Sequence, residues 1–586
     1  MSISYILSIV YLVVSFLIFK KNNIKISMIS SIIYVTCLLF CYNILVVYIC
    51  SFFNIGGSLF NYSLINIGIG TIINLISFRR KNIQKYYFDK KELISILFIV
   101  VVLFIICYFR FRGFTTISYE SADSSVHYRH ALLFKENLEM LDKNNSLDLV
   151  YGEFSGVMPI SYVNCGFMMK VIDSVPTYWL YIFFDCFCLI LSALLFFSTV
   201  LKIGDKRNCF YGLILSLVYA LGFPLNNLLF GFGYLGLGVM VINLLVLTVS
   251  NIKRLDSNYY LNLILIFMIC FSVFFSYYLF MPCIYLGLGI YYIYLWRMKK
   301  LKLRELFILG GITLIIPFIM GIIKFIIPGF MDGGVSVVTI AGIDGYVYDN
   351  KSSLYFFLTM SLVMIITCYI RRKKKDYYWF NFLVISIYVI LFYILYKIDV
   401  VSLYYFCKLF YLYWLFVVIY IGKLLYRRKE FLYTIFVFTI VGMGIVFKGT
   451  KNLFSQFLVM NNIFSWNAYS FRDEKIILTK NDLELIKESV KYEDSCVIDN
   501  QFIISGKKVK NPWIYSITNN IPVYDWDNGV SSHLGNDNVR FDFWLDLEEY
   551  KCLIYFDDDK RQVDFKNYDN LEVLYSNDDG VILMKK

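Results

Sequence analysis

Thr71-Ile72-Ile73-Asn74-Leu75-Ile76-Ser77-Phe78-Arg79-Arg80-Lys81 is an apolar run that closes on three consecutive basic residues. The pattern recurs along the chain and decides its fold class. Of the 586 residues 59% are hydrophobic, more than a water-soluble core of this size needs. Runs of about 17–25 apolar residues separated by Lys/Arg clusters specify a polytopic α-helical membrane protein. Fourteen spans are expected, near 3–19, 26–48, 55–78, 92–109, 176–201, 208–229, 232–250, 259–275, 278–296, 305–327, 352–370, 378–396, 400–422 and 431–447. Basic clusters follow the odd-numbered spans, whereas the loops after spans 2, 6 and 8 hold no Lys or Arg. The excess of Lys and Arg in cytoplasmic loops then sets both termini outside. The run Ile3 to Phe19 has neither a basic start nor a small-residue cleavage site, so a retained span is expected there. Abundant Ile, Tyr, Phe, Lys and Asn fit an AT-rich bacterial genome. The expected location is a bacterial cell membrane, crossed many times, with both termini extracytoplasmic.

The net charge is +12, but its distribution says more. Residues Phe471 to Lys586 hold 15 basic and 23 acidic side chains, so the positive excess belongs to the span-connecting loops. Charge spread over separate short loops orients a membrane protein; it makes no nucleic-acid surface, and no nucleic-acid partner is expected. Two domains follow: a transmembrane domain over 1–447, with outer loops 110–175 and 328–350, and an extracytoplasmic domain over 448–586. The loop 328–350 is rich in Gly and carries Asp332, Asp344 and Asp349. The tail reads as a small α/β domain. Thr479-Lys480-Asn481-Asp482 resembles a capping box opening an amphipathic helix through Leu483, Ile486 and Val490. Ser495 to Asp499 and Lys551 to Phe556 read as buried strands, Trp513 to Ile517 as a short helix, and Leu571 to Met584 as a hairpin turning at Asn577-Asp578-Asp579-Gly580. Twelve of the fourteen cysteines precede the tail, most inside apolar runs, where Cys packs as a small hydrophobe. Cys496 and Cys552, in the tail, read as two thiols in adjacent strands, with a disulfide as the alternative.

Two of the three histidines fall in Tyr119-Glu120-Ser121-Ala122-Asp123-Ser124-Ser125-Val126-His127-Tyr128-Arg129-His130. In a helix, Glu120, Asp123, His127 and His130 share one face at about 100° per residue. Acids beside imidazoles at a membrane surface suit proton transfer: a carboxylate can take the proton of an attacking hydroxyl. Asp123 is the first candidate base and Glu120 the second. His127 and His130 supply either metal ligands, with Asp123, or donors to a leaving phosphate. Arg129 and Glu153 stand close in sequence. The alternative is an amphipathic helix whose polar face meets water.

Charges also lie inside spans. Lys408, in Tyr404-Tyr405-Phe406-Cys407-Lys408, and Asp185, in Phe183-Phe184-Asp185-Cys186, lie eight and nine residues below the outer face. At ~1.5 Å per residue that is roughly 12–14 Å of depth. Each costs ~2.5–3.5 kcal/mol near the bilayer centre if unpaired, so such residues persist where they pair or line a wet cavity. Lys408 is therefore either the cation for a lipid-linked phosphate or half of an ion pair with Asp185. Gly231-Phe232-Gly233-Tyr234-Leu235-Gly236-Leu237-Gly238 imitates a dinucleotide fingerprint. It opens a membrane span and lacks the βαβ setting, so close helix packing or room for a lipid explains it better, and no nucleotide cofactor is expected.

These residues resemble the C-type glycosyltransferase superfamily, in its large bacterial branch with an extracytoplasmic C-terminal domain. Three stretches carry the likeness. Glu120-Ser121-Ala122-Asp123 with His127 resembles the family's acidic motif in a long outer loop. Tyr404 to Lys408 resembles a Tyr-Tyr-x-x-Lys element of a late span. Val497 to Asn500, Gly506, Trp513, Tyr515, Thr518 and Pro522-Val523 resemble its tail. The resemblance implies a GT-C-like fold of about fourteen spans with a small α/β outer domain. It implies transfer of a sugar from a polyprenyl-phosphate donor to a cell-envelope glycan, polymer or protein, for polysaccharide biosynthesis. Catalysis would rest on Asp123 or Glu120. Lys408, Tyr404, Arg129, His127, His130, Glu153 and Asp185 would bind substrate, and some members use a divalent metal (Mg or Mn). Membrane lipids are the remaining partners. The competing readings are a transporter or flippase for lipid-linked saccharide, whose two halves should carry matching charged sites, a polysaccharide polymerase with its catalytic loop near Asp332 to Asp349, and a non-catalytic surface protein.

Overall fold

Helices account for most of the ordered backbone, as apolar runs of this length require when no water can satisfy peptide groups. The structure, a computed structural model, describes residues 2–20, 27–78, 88–119, 123–139, 159–203, 208–251, 259–322, 351–372, 375–401, 403–425, 476–499, 511–518, 523–524, 551–556 and 570–586. The helices are α1 (Ser2–Lys20), α2 (Met28–Phe52), α3 (Leu59–Phe78), α4 (Lys90–Arg110), α5 (Asp123–Asn137), α6 (Pro159–Val171), α7 (Thr177–Ile203), α8 (Cys209–Leu221), α9 (Phe223–Phe230), α10 (Gly233–Asn251), α11 (Tyr259–Phe274) and α12 (Met281–Arg297). Then come α13 (Leu303–Gly310), a π-helical turn (Gly311–Ile315), α14 (Ile316–Gly321), α15 (Lys351–Ile370), α16 (Tyr377–Lys397), α17 (Leu403–Leu425), α18 (Lys480–Ser489) and α19 (Asn511–Thr518). Among the described residues nine helical stretches are long and apolar enough to cross a membrane, and three shorter apolar helices accompany them. The expected span 431–447 and the loop 328–350 lie outside the described residues.

The chain divides into two compact units. The first comprises Met1–Ile106, Ala131–Leu228 and Phe232–Ser470; the second comprises Cys107–His130, Leu229–Gly231 and Phe471–Lys586. In the first, α4 leaves Ile94, Leu97, Phe98, Val101 and Ile105 exposed. That surface would cost about 25 cal/mol per Å² in water and is at home against lipid. Helices inside the body are tied by polar pairs that have no water to compete: Asn43 Nδ2 donates to Asn164 Oδ1 at 2.8 Å, and Tyr42 Oη donates to Asn66 Oδ1 at 2.8 Å. Asn164 belongs to α6, a helix within the segment read as outer loop 110–175. Residues 160–167 of α6 are buried. The expected span 208–229 is broken at Gly222, where a Cβ would lie 2.6 Å from the Trp414 indole nitrogen. Pro224, in the first turn of α9, suits a helix start and could not continue a helix from α8.

The second unit holds a five-stranded sheet of β1 (Cys496–Asp499), β2 (Val523–Tyr524), β3 (Cys552–Phe556), β4 (Leu571–Asn577) and β5 (Gly580–Lys585), in the order β2-β1-β3-β5-β4. β1 pairs in parallel with β2 and β3, whereas β5 runs antiparallel to β3 and β4. All five residues of the central β3 are buried, as its unbroken apolar run demands. The capping box forms: Thr479 Oγ1 accepts from the Asp482 amide at 3.0 Å and Asp482 Oδ2 accepts from the Thr479 amide at 2.8 Å. Such a cap stabilises a helix by ~1 kcal/mol. Gly580 closes the hairpin because a Cβ there would strike the Tyr555 carbonyl. The pair-of-thiols reading is corrected here. Cys552 is disulfide-bonded and its backbone register partner is Cys496; the other twelve cysteines are free. Adjacent register sets two Cα atoms at the separation a disulfide spans.

Candidate functional site

Within the first unit a polar cluster is built around the start of α10. Gly231, with φ +76°, ends α9, and the Phe232 amide reaches back to the Asn227 carbonyl at 2.8 Å. Only glycine enters that left-handed conformation without strain, so the chain reverses there and restarts as α10 at Gly233. Gly233 meets Asp185 of α7: a Cβ at Gly233 would collide with Asp185 Oδ1. The next residue, Tyr234, accepts a hydrogen bond at its hydroxyl from Lys408 Nζ of α17 at 3.0 Å. Asp185 and Lys408, 5% and 4% exposed, thus approach two successive residues of one helix start.

Lys408 is enclosed by rings. Its Nζ lies 5.1 Å from the Phe232 centroid, 5.7 Å from Tyr234, 5.6 Å from Tyr277 and 5.7 Å from Tyr405. Each is within cation–π range, worth ~0.5–2 kcal/mol where water is excluded. Four such contacts go some way to offset the cost of burying an ammonium. One helical turn on, Tyr411 Oη donates to Asn226 Oδ1 at 2.9 Å. Asn227, 2% exposed and facing Gly236, has an Oδ1 with no hydrogen-bond partner among the described residues. The glycines of 233–238 therefore let the backbone approach Asp185, Asn227 and Ser276 closely. Nothing about them forms a phosphate-binding βαβ turn. Tyr404 lies in α17, and its side chain is outside the described set.

The acid–His stretch belongs to the second unit and departs from expectation. Tyr119 is not helical; α5 opens at Asp123. Glu120 and Glu153 lie outside the described residues, as does the Asp123 side chain. Within α5, Asp123, His127 and His130 fall at i, i+4 and i+7 and share a face, and the Glu120 part of the expected face lies outside the described residues. Arg129 is buried. His130 is half-buried; burial, and after it the neighbouring Arg129, hold its imidazole down to about 4. At neutral pH it is an uncharged donor or acceptor. Among the described residues no group of three His, Cys, Asp or Glu side chains comes together to hold a metal. The side chain of Asp123, the third ligand of the metal reading, lies outside the described residues.

The His130 shift has a consequence for stability. The folded value is below the ~6.5 of an unfolded chain, so unfolded protein binds the extra proton. The contribution is whole above about pH 6.5 and is lost as pH falls toward 4. His130→Gln is expected to flatten the acid limb of a thermal-stability profile by on the order of 2 kcal/mol across that window. Unfolding midpoints of the full chain at pH 7, 6, 5 and 4 measure it, and parallel profiles for both proteins contradict it.

No protein-family model matches the chain, and no curated protein matches its sequence.

Tyr234, Tyr277, Asn226 and Asn227 are site residues that the sequence reading passed over. The signal for Tyr234 was its place inside the glycine run, where close approach of α10 to its neighbours was already indicated. Tyr277 carries no local signal, since one tyrosine among fifty is unremarkable in a membrane chain.

Proposed function

We propose that the chain transfers a sugar from a polyprenyl-phosphate-linked donor to a cell-envelope glycan, polymer or protein on the outer face of the membrane. The observation that carries this reading is the Lys408 ammonium, buried in an apolar helical body, bonded to a tyrosine hydroxyl and ringed by aromatic faces. A buried cation is costly and is retained where it meets an anion. A lipid phosphate is an anion that can reach such a place from the bilayer, in addition to the Asp185 carboxylate at the same helix start. The disulfide in the tail supports an extracytoplasmic tail, because cytosolic thiols are kept reduced.

The chemistry divides between two places on the chain. The acceptor hydroxyl attacks the anomeric carbon, the bond from that carbon to the phosphate oxygen breaks, and the hydroxyl proton passes to Asp123 or Glu120. Charge builds on the departing polyprenyl phosphate, and a buried ammonium such as Lys408, held by the Tyr234 hydroxyl, is the first unit's own candidate for binding such a phosphate. The phosphate is already a good leaving group, so charge stabilisation matters more than an acid. Asp123→Asn and Glu120→Gln are compared with wild type in cells lacking the native copy, after insertion is checked. Surface glycan is read by mass spectrometry, and purified protein is offered a panel of farnesyl-phosphate hexoses. Loss of at least a hundredfold in one of the two variants supports the assignment. Unchanged glycan in both removes the carboxylate from the mechanism.

A further inference from the structure

Trp513, in α19, is fully buried, and the residues against it come from a distant part of the sequence. Its indole stacks on Tyr119 at 5.8 Å between centroids and 3° between planes, and on Tyr128 at 5.4 Å and 27°. Its Nε1–H donates to Ser124 Oγ at 3.2 Å. Ser124 is the residue after Asp123, and the two tyrosines flank Glu120 and Asp123 in sequence. Tyr119, Tyr128 and Ser124 are all almost fully buried. Gly231 backs the same seat, since a Cβ there would collide with Ser124. The strand-like residue Ile117 adds main-chain bonds: its amide donates to the Leu478 carbonyl at 3.0 Å and its carbonyl accepts from Ile477 at 2.7 Å. Arg110 Nε donates to the Ser118 carbonyl at 3.0 Å. All of these contacts lie inside the second unit.

We infer that Trp513 is a positioning residue, through which the C-terminal domain fixes the start of α5 and hence the backbone that carries Asp123. The physical case is one of restraint. Two stacked rings and one hydrogen bond grip the segment before, at and after the helix start, and stacked pairs are worth ~0.5–1.5 kcal/mol each beyond burial. An isolated helix of fifteen residues is marginal in water, so tertiary contacts such as the Trp513 stack and hydrogen bond contribute to holding the first turn of α5. The catalytic consequence rests on the reading proposed above; the restraint itself does not.

Hydrogen exchange on the full chain in nanodiscs tests the restraint. In Trp513→Ala the amides of Tyr128, Arg129 and His130 are expected to exchange at least tenfold faster, with β3 and β5 unchanged. Trp513→Phe keeps the stack and loses the donor, and should fall between. Should Trp513→Ala also expose the sheet, Ser124→Ala and Tyr128→Leu remove the contacts from the other side and leave the tail core whole. Unchanged protection of 128–130 in these variants overturns the inference. On the farnesyl-phosphate-hexose panel, Trp513→Phe should lower kcat about tenfold with donor KM unchanged, because the base is misplaced and the phosphate contacts are not. Faster exchange with unaltered kcat would overturn the positioning role. If wild type transfers no sugar the functional reading falls, while exchange still decides the restraint.

Discussion

On the proposed function, Lys408→Met is expected to lower sugar transfer by a hundredfold or more in protein that still inserts and folds. The two halves of that expectation come from one physical fact. Lys408 is 4% exposed, and taking an ammonium out of water is expensive. Methionine fills nearly the same volume without the charge, so the folded state sheds a desolvation cost. It loses the bond to the Tyr234 hydroxyl and the attraction of four rings. Those terms oppose one another, so the change in stability should be small beside the change in transfer. The transition state has no such compensation, because charge gathering on the phosphate would find no cation. Removing a single preorganised donor of this sort costs ~10²–10³ in rate. Lys408→Arg should not rescue, since a planar guanidinium needs room that this enclosure lacks. If Lys408 serves only to tie helices together, the pattern inverts: stability falls and activity per folded molecule stays. Measuring unfolding midpoint and turnover on the same preparation separates the two.

The membrane body was legible because its physics is one-dimensional. Length of apolar run and position of Lys/Arg suffice to place helices, and the helices from α1 through α17 fall on expected spans except α5 and α6. The tail was legible for a related reason. Thr479 with Asp482, the apolar run at Cys552, and Asn577 to Gly580 each carry a local rule that the fold obeys. What the sequence hid is three-dimensional. Nothing in Trp513 announces that its partners are Tyr119 and Tyr128, nearly four hundred residues away. A periodicity argument extends the α5 face back toward Tyr119, but residues 117–119 are non-helical, held by the Ile117 bridge to Leu478 and the Arg110 bond to the Ser118 carbonyl, and such tertiary contacts override a periodicity of polar residues. Burial of α6 was likewise invisible. Its apolar residues form too short a run to read as a span, and its Asn164 is satisfied across the fold by Asn43 and the carbonyl of Phe40 and within α6 by the carbonyl of Ile160.

Gly233→Ala should destabilise the protein by about 2 kcal/mol, and Asp185→Ala should restore most of that loss in the double variant. Alanine is the better helix residue by ~1 kcal/mol, so propensity alone predicts the opposite sign. Sterics decide: the added Cβ meets the Asp185 carboxylate, which has nowhere to retreat at 5% exposure. Overpacking a dense interior costs ~1–3 kcal/mol, and displacing a carboxylate from the amide-rich start of α10 adds to it. Truncating Asp185 removes all three atoms that crowd the new methyl, so the two substitutions should be strongly non-additive. Unfolding midpoints of the two single variants and the double variant give the coupling, and a coupling near zero would mean that Asp185 does not sit against Gly233. The consequence reaches the proposed chemistry through one residue. Gly233 is followed by Tyr234, whose hydroxyl holds Lys408 Nζ, so a start of α10 pushed off Asp185 carries that hydroxyl with it. Gly233→Ala should therefore lower transfer even in the fraction that stays folded, and Asp185→Ala in the same chain should recover folding.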